Sequence, residues 1–288
     1  MNMKKIIVLG SSGMLGHMVY FYLRDLGKYE VIDVSYQSKL TDKSILLDAY
    51  NKQEVEELIL RERPDFVINC VGILIGGANS NPSNAIYLNA YFPNQLSSIL
   101  EKTGGKLIHI STDCVFSGKR GSYQEDDLRD ADDTYGKSKA LGEVINSRDL
   151  TLRTSIIGPE LKAHGVGLFH WFMQQMGEIN GYTHAIWSGV TTLEMAKVIH
   201  EVIEQDIVGL AHVTNGEKIP KFELLELLKE IWKRNDVSIK AYGNYFVDKS
   251  LMPSKRLIYQ VPSYRKMLEE QYNWMKANQS LYGNFYHM

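Results

Sequence analysis

The stretch Ile6-Ile7-Val8-Leu9-Gly10-Ser11-Ser12-Gly13-Met14-Leu15-Gly16 decides the fold of this chain. Four aliphatic residues run into glycines spaced GxxGxxG, and the segment that follows carries Val19, Leu23 and Leu26 at helical period. Strand, tight turn and helix in that order are what a dinucleotide-binding turn requires. One glycine permits the turn, one lets a pyrophosphate approach the backbone, and one lets the helix pack on the strand. The helix N-terminus then presents free N–H groups and a positive dipole end to phosphate. Gly10, Ser12, Gly13, Met14, Leu15 and Gly16 are the cofactor-binding candidates here.

Outward from this turn, short apolar or β-branched runs alternate with amphipathic segments. Strands are expected at 5–9, 30–34, 66–69, 106–110 and 151–156, and Val55, Leu58 and Ile59 mark a second helix face. This alternation predicts an α/β fold with a doubly wound parallel sheet, residues 1–157 forming the dinucleotide-binding domain. Beyond Gly158 helices dominate, at 168–178, 191–204, 221–233 and 263–276, with one clear strand at 210–214. Residues 158–288 are therefore read as a smaller, mostly helical substrate-binding region, some of whose segments return to the sheet.

Composition narrows the function classes. Among 288 residues, 32 Lys plus Arg against 34 Asp plus Glu give a net charge of −2, so no basic excess exists for nucleic acid or an anionic membrane. The longest apolar stretches, 6–9 and 71–75, fall far short of the roughly 20 residues that span a bilayer. Lys4 and Lys5 precede too short an apolar run for a signal peptide, and a first strand is the expectation. Cys70 and Cys114 form neither a disulfide framework nor a zinc pattern. His164, His170 and His184 lack metal-ligand spacing and are read as structural, so no metal site is expected. A cytoplasmic location is the default that follows.

At the end of the second strand the chain reads Val34-Ser35-Tyr36-Gln37-Ser38-Lys39, without a carboxylate at the tip. Asp33, the nearest acid, is expected to turn away from the cofactor ribose. Small hydroxyl residues and a lysine suit a 2′-phosphate, so Ser35 and Lys39 become candidates and NADP(H) is favoured over NAD(H).

The fourth strand ends in Ser111-Thr112-Asp113, and Tyr135-Gly136-Lys137-Ser138-Lys139 opens a later helix. Tyr135 and Lys139, four apart, share one helix face. A hydroxyl, a phenol and an ammonium suit hydride transfer to a ketone, because charge grows on the carbonyl oxygen and must be met by a proton and by hydrogen bonds. Thr112, Tyr135 and Lys139 are the catalytic candidates: Tyr135 as proton donor, Thr112 oriented on the ketone oxygen, and Lys139 lowering the pKa of the phenol and reaching the cofactor ribose.

Together with Leu47-Asp48, the stretches at 63–72, 111–118, 135–143 and 152–155, Leu88-Asn89 and the GLAHVTNGE segment at 209–217, these motifs make the chain resemble extended short-chain dehydrogenase/reductases, closest to the dTDP-4-dehydrorhamnose reductase family. The resemblance covers nearly the whole length. It implies a Rossmann domain, a catalytic set on Thr112, Tyr135 and Lys139, a nucleotide-sugar substrate whose 4-keto group is reduced for surface polysaccharide synthesis, and a homodimer as one expected state. It implies further that Asp48 contacts the adenine edge, that a turn of Asn69, Cys70, Val71 and Gly72 lines the cofactor cleft, and that Arg153 to Ser155 end near the nicotinamide. Asp48 as the cap of the next helix, Asn89 as a backbone ligand and Arg153 as half of a structural ion pair are the plainer readings of the same residues.

Related sugar-nucleotide dehydratases carry an Asp-Glu pair after the threonine; here the pair is Asp113-Cys114, and a neutral thiol disfavours elimination. Lys249 and Arg256, in the divergent second half, are candidates for a diphosphate or else solvated surface charges. Two other functions share the motifs: a nucleotide-sugar epimerase, and a non-catalytic NADP-binding regulatory module like the β subunit of methionine adenosyltransferase.

Overall fold

Strands β1 (Lys4–Leu9), β2 (Tyr29–Ser35), β3 (Ile45–Leu46), β4 (Phe66–Asn69), β5 (Lys106–Thr112) and β6 (Leu150–Thr154) join the Gly209–His212 strand in one seven-stranded sheet. The computed structural model describes residues 3–286. The order is Gly209–His212, β6, β5, β4, β1, β2, β3, and every pairing is parallel. Both faces are covered, as parallel sheets require. Ile6 and Val8 point into one buried cluster with Met18, Val19 and Leu23 of helix α1 (Gly16–Asp25). Ile7 and Leu9, one residue out of phase, enter a second with Val55, Leu58 and Ile59 of helix α2 (Lys52–Glu62).

From β1 the chain steps to β2 and β3 in one direction, then returns through β4 to build β5 and β6 in the other. The order therefore reverses between β1 and β4. Loops leaving the carboxyl ends of these neighbours diverge and open a crevice at that point.

The second half holds more strand than the expected helices and one clear strand: Gly177–Trp187 and Val237–Asp248 are both long additions. The helix expected over 168–178 ends at Met173, and an 11-residue strand, Gly177–Trp187, follows. It pairs in parallel with Val237–Asp248 and antiparallel with Ile219–Pro220. Two causes stop the helix. Gly177 has φ +72°, and the Arg234 guanidinium donates to the Met173 carbonyl at 2.8 Å and to the carbonyls of Phe172 and Gln175, consuming acceptors at the helix end. Ile179, Gly181, Ala185 and Trp187 then alternate inward.

One buried cluster runs from Ile6 through Ile199 and Trp232 to Tyr286. Its last members fasten the amino-terminal turn. His17 Nδ1 donates to the Gly13 carbonyl at 2.8 Å, so Nε2 accepts from the Tyr282 hydroxyl at 3.0 Å. Tyr286 accepts from the Glu160 N–H at 2.8 Å and lies 2.9 Å from His170 Nδ1. Among the described residues no helix is long and apolar enough to cross a membrane.

Candidate active site

The crevice at the order reversal is a cavity of about 470 Å³. The amino-terminal turn forms its floor. Gly10 adopts φ +77°, its N–H and that of Ser11 donate to the Val34 carbonyl, and the Gly13 N–H returns to the Gly10 carbonyl at 2.9 Å. A Cβ on Gly16 would lie 2.1 Å from the Gly10 carbonyl oxygen, so only glycine lets α1 start there. No side chain caps α1, and the Gly13, Met14 and Leu15 residues that lead into it line the crevice. The hydroxyls of Ser11 and Ser35 are buried without a partner, polar atoms at the tips of β1 and β2 that a ligand would satisfy.

A second wall comes from the turn after β4. Asn69 Oδ1 accepts from the Val71 N–H at 3.0 Å. Asn89 does bind backbone, but of a distant segment: it accepts from the Ile73 N–H at 2.8 Å, donates to the Ile73 carbonyl at 2.9 Å, and reaches Ser138 Oγ at 3.1 Å. One amide thus ties this turn to the tyrosine-bearing helix.

That helix, Thr134–Leu141, starts where Asp133 accepts from the Gly136 N–H at 2.8 Å. Gly136 is required by close approach, since a Cβ would lie 2.3 Å from the Cys114 carbonyl oxygen. Tyr135 is buried against Ile73, Ala78, Ala85 and Cys114. Thr112 ends β5, accepts from the Cys114 N–H and donates to Asp113 at 3.1 Å. Burial, then Cys114, push the Tyr135 phenol above its usual value, and the neighbouring Thr112 hydroxyl opposes them. The expectation that Lys139 lowers it is not met in this arrangement. Lys139 Nζ donates instead to the Ile110 carbonyl at 2.6 Å and lies 3.4 Å from His109 Nε2. Burial lowers this lysine to about 8, while Glu143 and Cys70 raise it. Burial holds the Cys70 and Cys114 thiols up at about 12, and both are free. Burial also raises the Asp113 carboxyl, against the pull of Lys249.

Gly13, Met14, Leu15, Cys70, Val71, Gly72, Thr112, Tyr135 and Lys139 all line this one cavity. Gly10 and Gly16 shape its floor from below. Ser35 ends β2, and Lys39 beyond it is exposed, 3.4 Å from the Asp42 carbonyl. Asp33 shares a strand face with Ser35, yet its carboxylate accepts from the Thr41 and Ser44 hydroxyls and is spent on that loop. Asp48 does not cap α2: its carboxylate accepts from the Tyr50 N–H at 2.9 Å, and Asn51 is the cap.

Thr154 and Ser155 reach the cavity, whereas Arg153 lies beneath it in a buried ion pair with Glu143 at 2.7 Å. Arg256 is displaced from it: its guanidinium sits beside Gly209, at the amino end of a strand whose carboxyl end faces the cavity. Lys249 is half-buried near Asp113, Cys114 and Asp133, whose charges and hydrogen bonding hold its ammonium up against the lowering by burial. His170 is structural, bonded to Tyr286; His184 is exposed and stacks on Phe246, and His164 is exposed. Among the described residues no three His, Cys, Asp or Glu side chains gather as a metal site.

Sequence reading missed part of the lining: residues 73–76, Glu160, Lys162, Val166 and Gly167. Glu160 is buried and accepts from the Gly167 N–H at 2.6 Å. Gly158, Gly165 and Gly167 around it were the available signal, since close approach of this kind demands small residues.

Comparison with known proteins extends the picture. The model of the RmlD substrate binding domain family matches residues 3–254. A dTDP-4-dehydrorhamnose reductase of Aggregatibacter actinomycetemcomitans is 27% identical over 213 residues, covering 72% of this chain and 70% of that protein. A Haloferax volcanii protein named "Probable low-salt glycan biosynthesis reductase Agl14" is 33% identical over 242 residues, 78% of this chain and 79% of its own. In fold, the structure of a Bacillus anthracis dTDP-4-dehydrorhamnose reductase in complex with NADP superposes with a TM-score of 0.82 at 22% identity, covering 95% of this chain and all of that one.

Proposed function

The chain belongs to the RmlD substrate binding domain family, and from that premise we propose that it is an NADPH-dependent oxidoreductase that reduces the 4-keto group of a nucleotide-linked 6-deoxysugar for polysaccharide synthesis. The observation that carries the reading is the meeting of Thr112, Tyr135 and Lys139 in one cavity with the Gly13–Leu15 backbone and the turn of Cys70, Val71 and Gly72. In this reading residues 1–157 hold the dinucleotide and residues 158–288 supply the substrate side.

The residues present fit the dinucleotide. An uncapped helix start and glycine backbone suit the pyrophosphate, and the buried, unpartnered hydroxyls of Ser11 and Ser35 suit its polar groups. Lys39, with no free carboxylate beside it at the β2 tip, suits a 2′-phosphate. Bound there, NADPH supplies hydride. Tyr135 gives its proton to the ketone oxygen as negative charge grows on it, and its raised pKa keeps the phenol protonated until then. Thr112 hydrogen-bonds the same oxygen. Lys139, an ammonium below a pH of about 8, orients the ribose.

Cys114 separates this chemistry from elimination. Its thiol, held up at about 12, neither gives nor takes a proton readily at neutral pH. Relatives that match over more than 70% of the chain include three named as reductases, which disfavours the epimerase and regulatory-module readings.

The test is NADPH oxidation, followed by absorbance, with freshly prepared dTDP-, UDP-, GDP- and CDP-linked 4-keto-6-deoxysugars. Turnover on one establishes the reductase and names the nucleotide. Cofactor binding with no turnover on any of the four overturns the reading.

A further inference from the structure

A line of buried polar groups runs behind the cavity from the turn after β4 to Lys139. The Asn69 and His109 side chains are wholly buried at the centre of the sheet. Asn69 Nδ2 is 3.2 Å from His109 Nδ1, and His109 Nε2 is 3.4 Å from Lys139 Nζ. Hydrogen-bond accounting assigns the protons. The Asn69 oxygen is taken by the Val71 N–H at 3.0 Å, so the face of the amide turned to His109 is its NH₂. His109 Nδ1 must then accept. Burial holds this imidazole far below its ordinary range, so it carries a single proton, which belongs on Nε2 and points at the lysine nitrogen.

An N–H aimed at an ammonium is repulsive, whereas an N–H aimed at an amine lone pair is a hydrogen bond. The amine can make that bond while giving its own hydrogen to the Ile110 carbonyl at 2.6 Å. The remaining groups around Lys139 are Glu143, two residues past the end of its helix, and the Cys70 thiol, and both favour its charge. His109 works against them.

We propose that Asn69 and His109 are positioning residues for Lys139: the Asn69 amide locks His109 as its Nε2–H tautomer, and that N–H, aimed at the lysine nitrogen, favours the amine over the ammonium. Gaining a proton and keeping the His109 contact are mutually exclusive for Lys139. Protonation breaks the His109 contact and leaves the Ile110 carbonyl as the β5 acceptor, with Tyr135 one turn away on the same helix face. Asn69, at the start of the turn bearing Cys70 and Val71, thereby acts on the charge of the lysine through His109. The kinetic meaning of this chain rests on the proposed reductase; its existence does not.

The experiment is nitrogen-15 NMR of the full-length protein, with His109 assigned by comparison with His109→Gln. We expect an unprotonated Nδ1 and a protonated Nε2 at pH 7, and an Nε2 signal that moves with the same midpoint as the Lys139 side-chain nitrogen. An Nδ1–H tautomer, or a His109 signal indifferent to the lysine titration, overturns the proposal. Asn69→Asp replaces the donor by an acceptor, so it should flip the tautomer and raise the Lys139 midpoint by about one pH unit. A flipped tautomer with an unmoved lysine also overturns it. Because the wild-type spectra need neither a variant nor a substrate, they decide the matter even if Asn69→Asp does not fold. Silence across the sugar panel with the expected spectra removes the reductase alone; turnover with an Nδ1–H spectrum removes this inference alone.

Discussion

Lys139 Nζ lies 2.6 Å from the carbonyl oxygen of Ile110, so the lysine that shares a helix face with Tyr135 is anchored to strand β5 instead of to the phenol. In the proposed reaction the phenol gives the proton, while the lysine one helical turn away serves the cofactor. Rate and cofactor affinity should separate on this basis.

Tyr135→Phe keeps the buried ring against Ile73, Ala78 and Ala85 and removes only the hydroxyl. Turnover should fall on the order of a hundredfold or more, the usual size of acid catalysis, with NADPH affinity unchanged. Steady-state kinetics beside fluorescence titration of NADPH checks it; a variant that turns over like the parent ends the assignment of Tyr135.

Cofactor affinity should depend on pH through Lys139, which burial lowers to about 8. Below that value the lysine is an ammonium, so its attraction for the dinucleotide is present; it is lost as pH rises through about 8. NADPH titrations between pH 6.5 and 9.5 should show weakening in that window, and Lys139→Met should flatten the dependence.

Arg153 and Glu143 form an ion pair whose side chains are almost wholly buried, joined by the Ser111 hydroxyl at 2.7 Å and by His212 Nε2 at 2.7 Å from the guanidinium. Removing Arg153 leaves the buried Glu143 carboxylate with only the Ser111 hydroxyl and the more exposed Arg129, at 2.9 Å, to meet its charge. Arg153→Met should cost roughly 3–5 kcal/mol in urea unfolding, and the double variant Arg153→Met/Glu143→Leu should cost less than the sum of its parts.

Stability should fall in mild acid. Burial lowers His17 and His212 to about 4, below the 6.5 of an unfolded imidazole. Between those values the unfolded chain binds more protons than the folded one, so the stability present above pH 6.5 is lost as pH drops towards 4. Each histidine contributes on the order of 3 kcal/mol across that window. Thermal melts from pH 7 to 4.5 should decline steeply, and His17→Gln should lessen the slope.

What was legible in the sequence was local. The run into Gly10, Gly13 and Gly16 encodes strand, turn and helix within a dozen residues, and Tyr135 with Lys139 is a spacing on one helix. What escaped depends on distant partners. The helix at 168 stops because Arg234, some 60 residues on, takes its carbonyls, and no periodicity at 168–178 records that. Asp48 looked like a cap until Asn51, three residues later, proved to hold the Glu54 N–H. Glu160 enters the cavity because Tyr286 holds its backbone, a contact across 126 residues.

The hydrogen bond between Tyr282 and His17 also sets a condition on how the protein is made. During translation the glycine turn leaves the ribosome 265 residues before the tyrosine that braces it. A nascent chain that has reached residue 200 holds β1, α1 and β6 but lacks the Gly209–His212 strand that covers the edge of β6, as well as the brace on His17. Its unpaired β6 edge is exposed to other chains until that strand emerges, so pausing or termination between β6 and Gly209 yields an aggregation-prone intermediate in place of a functional half.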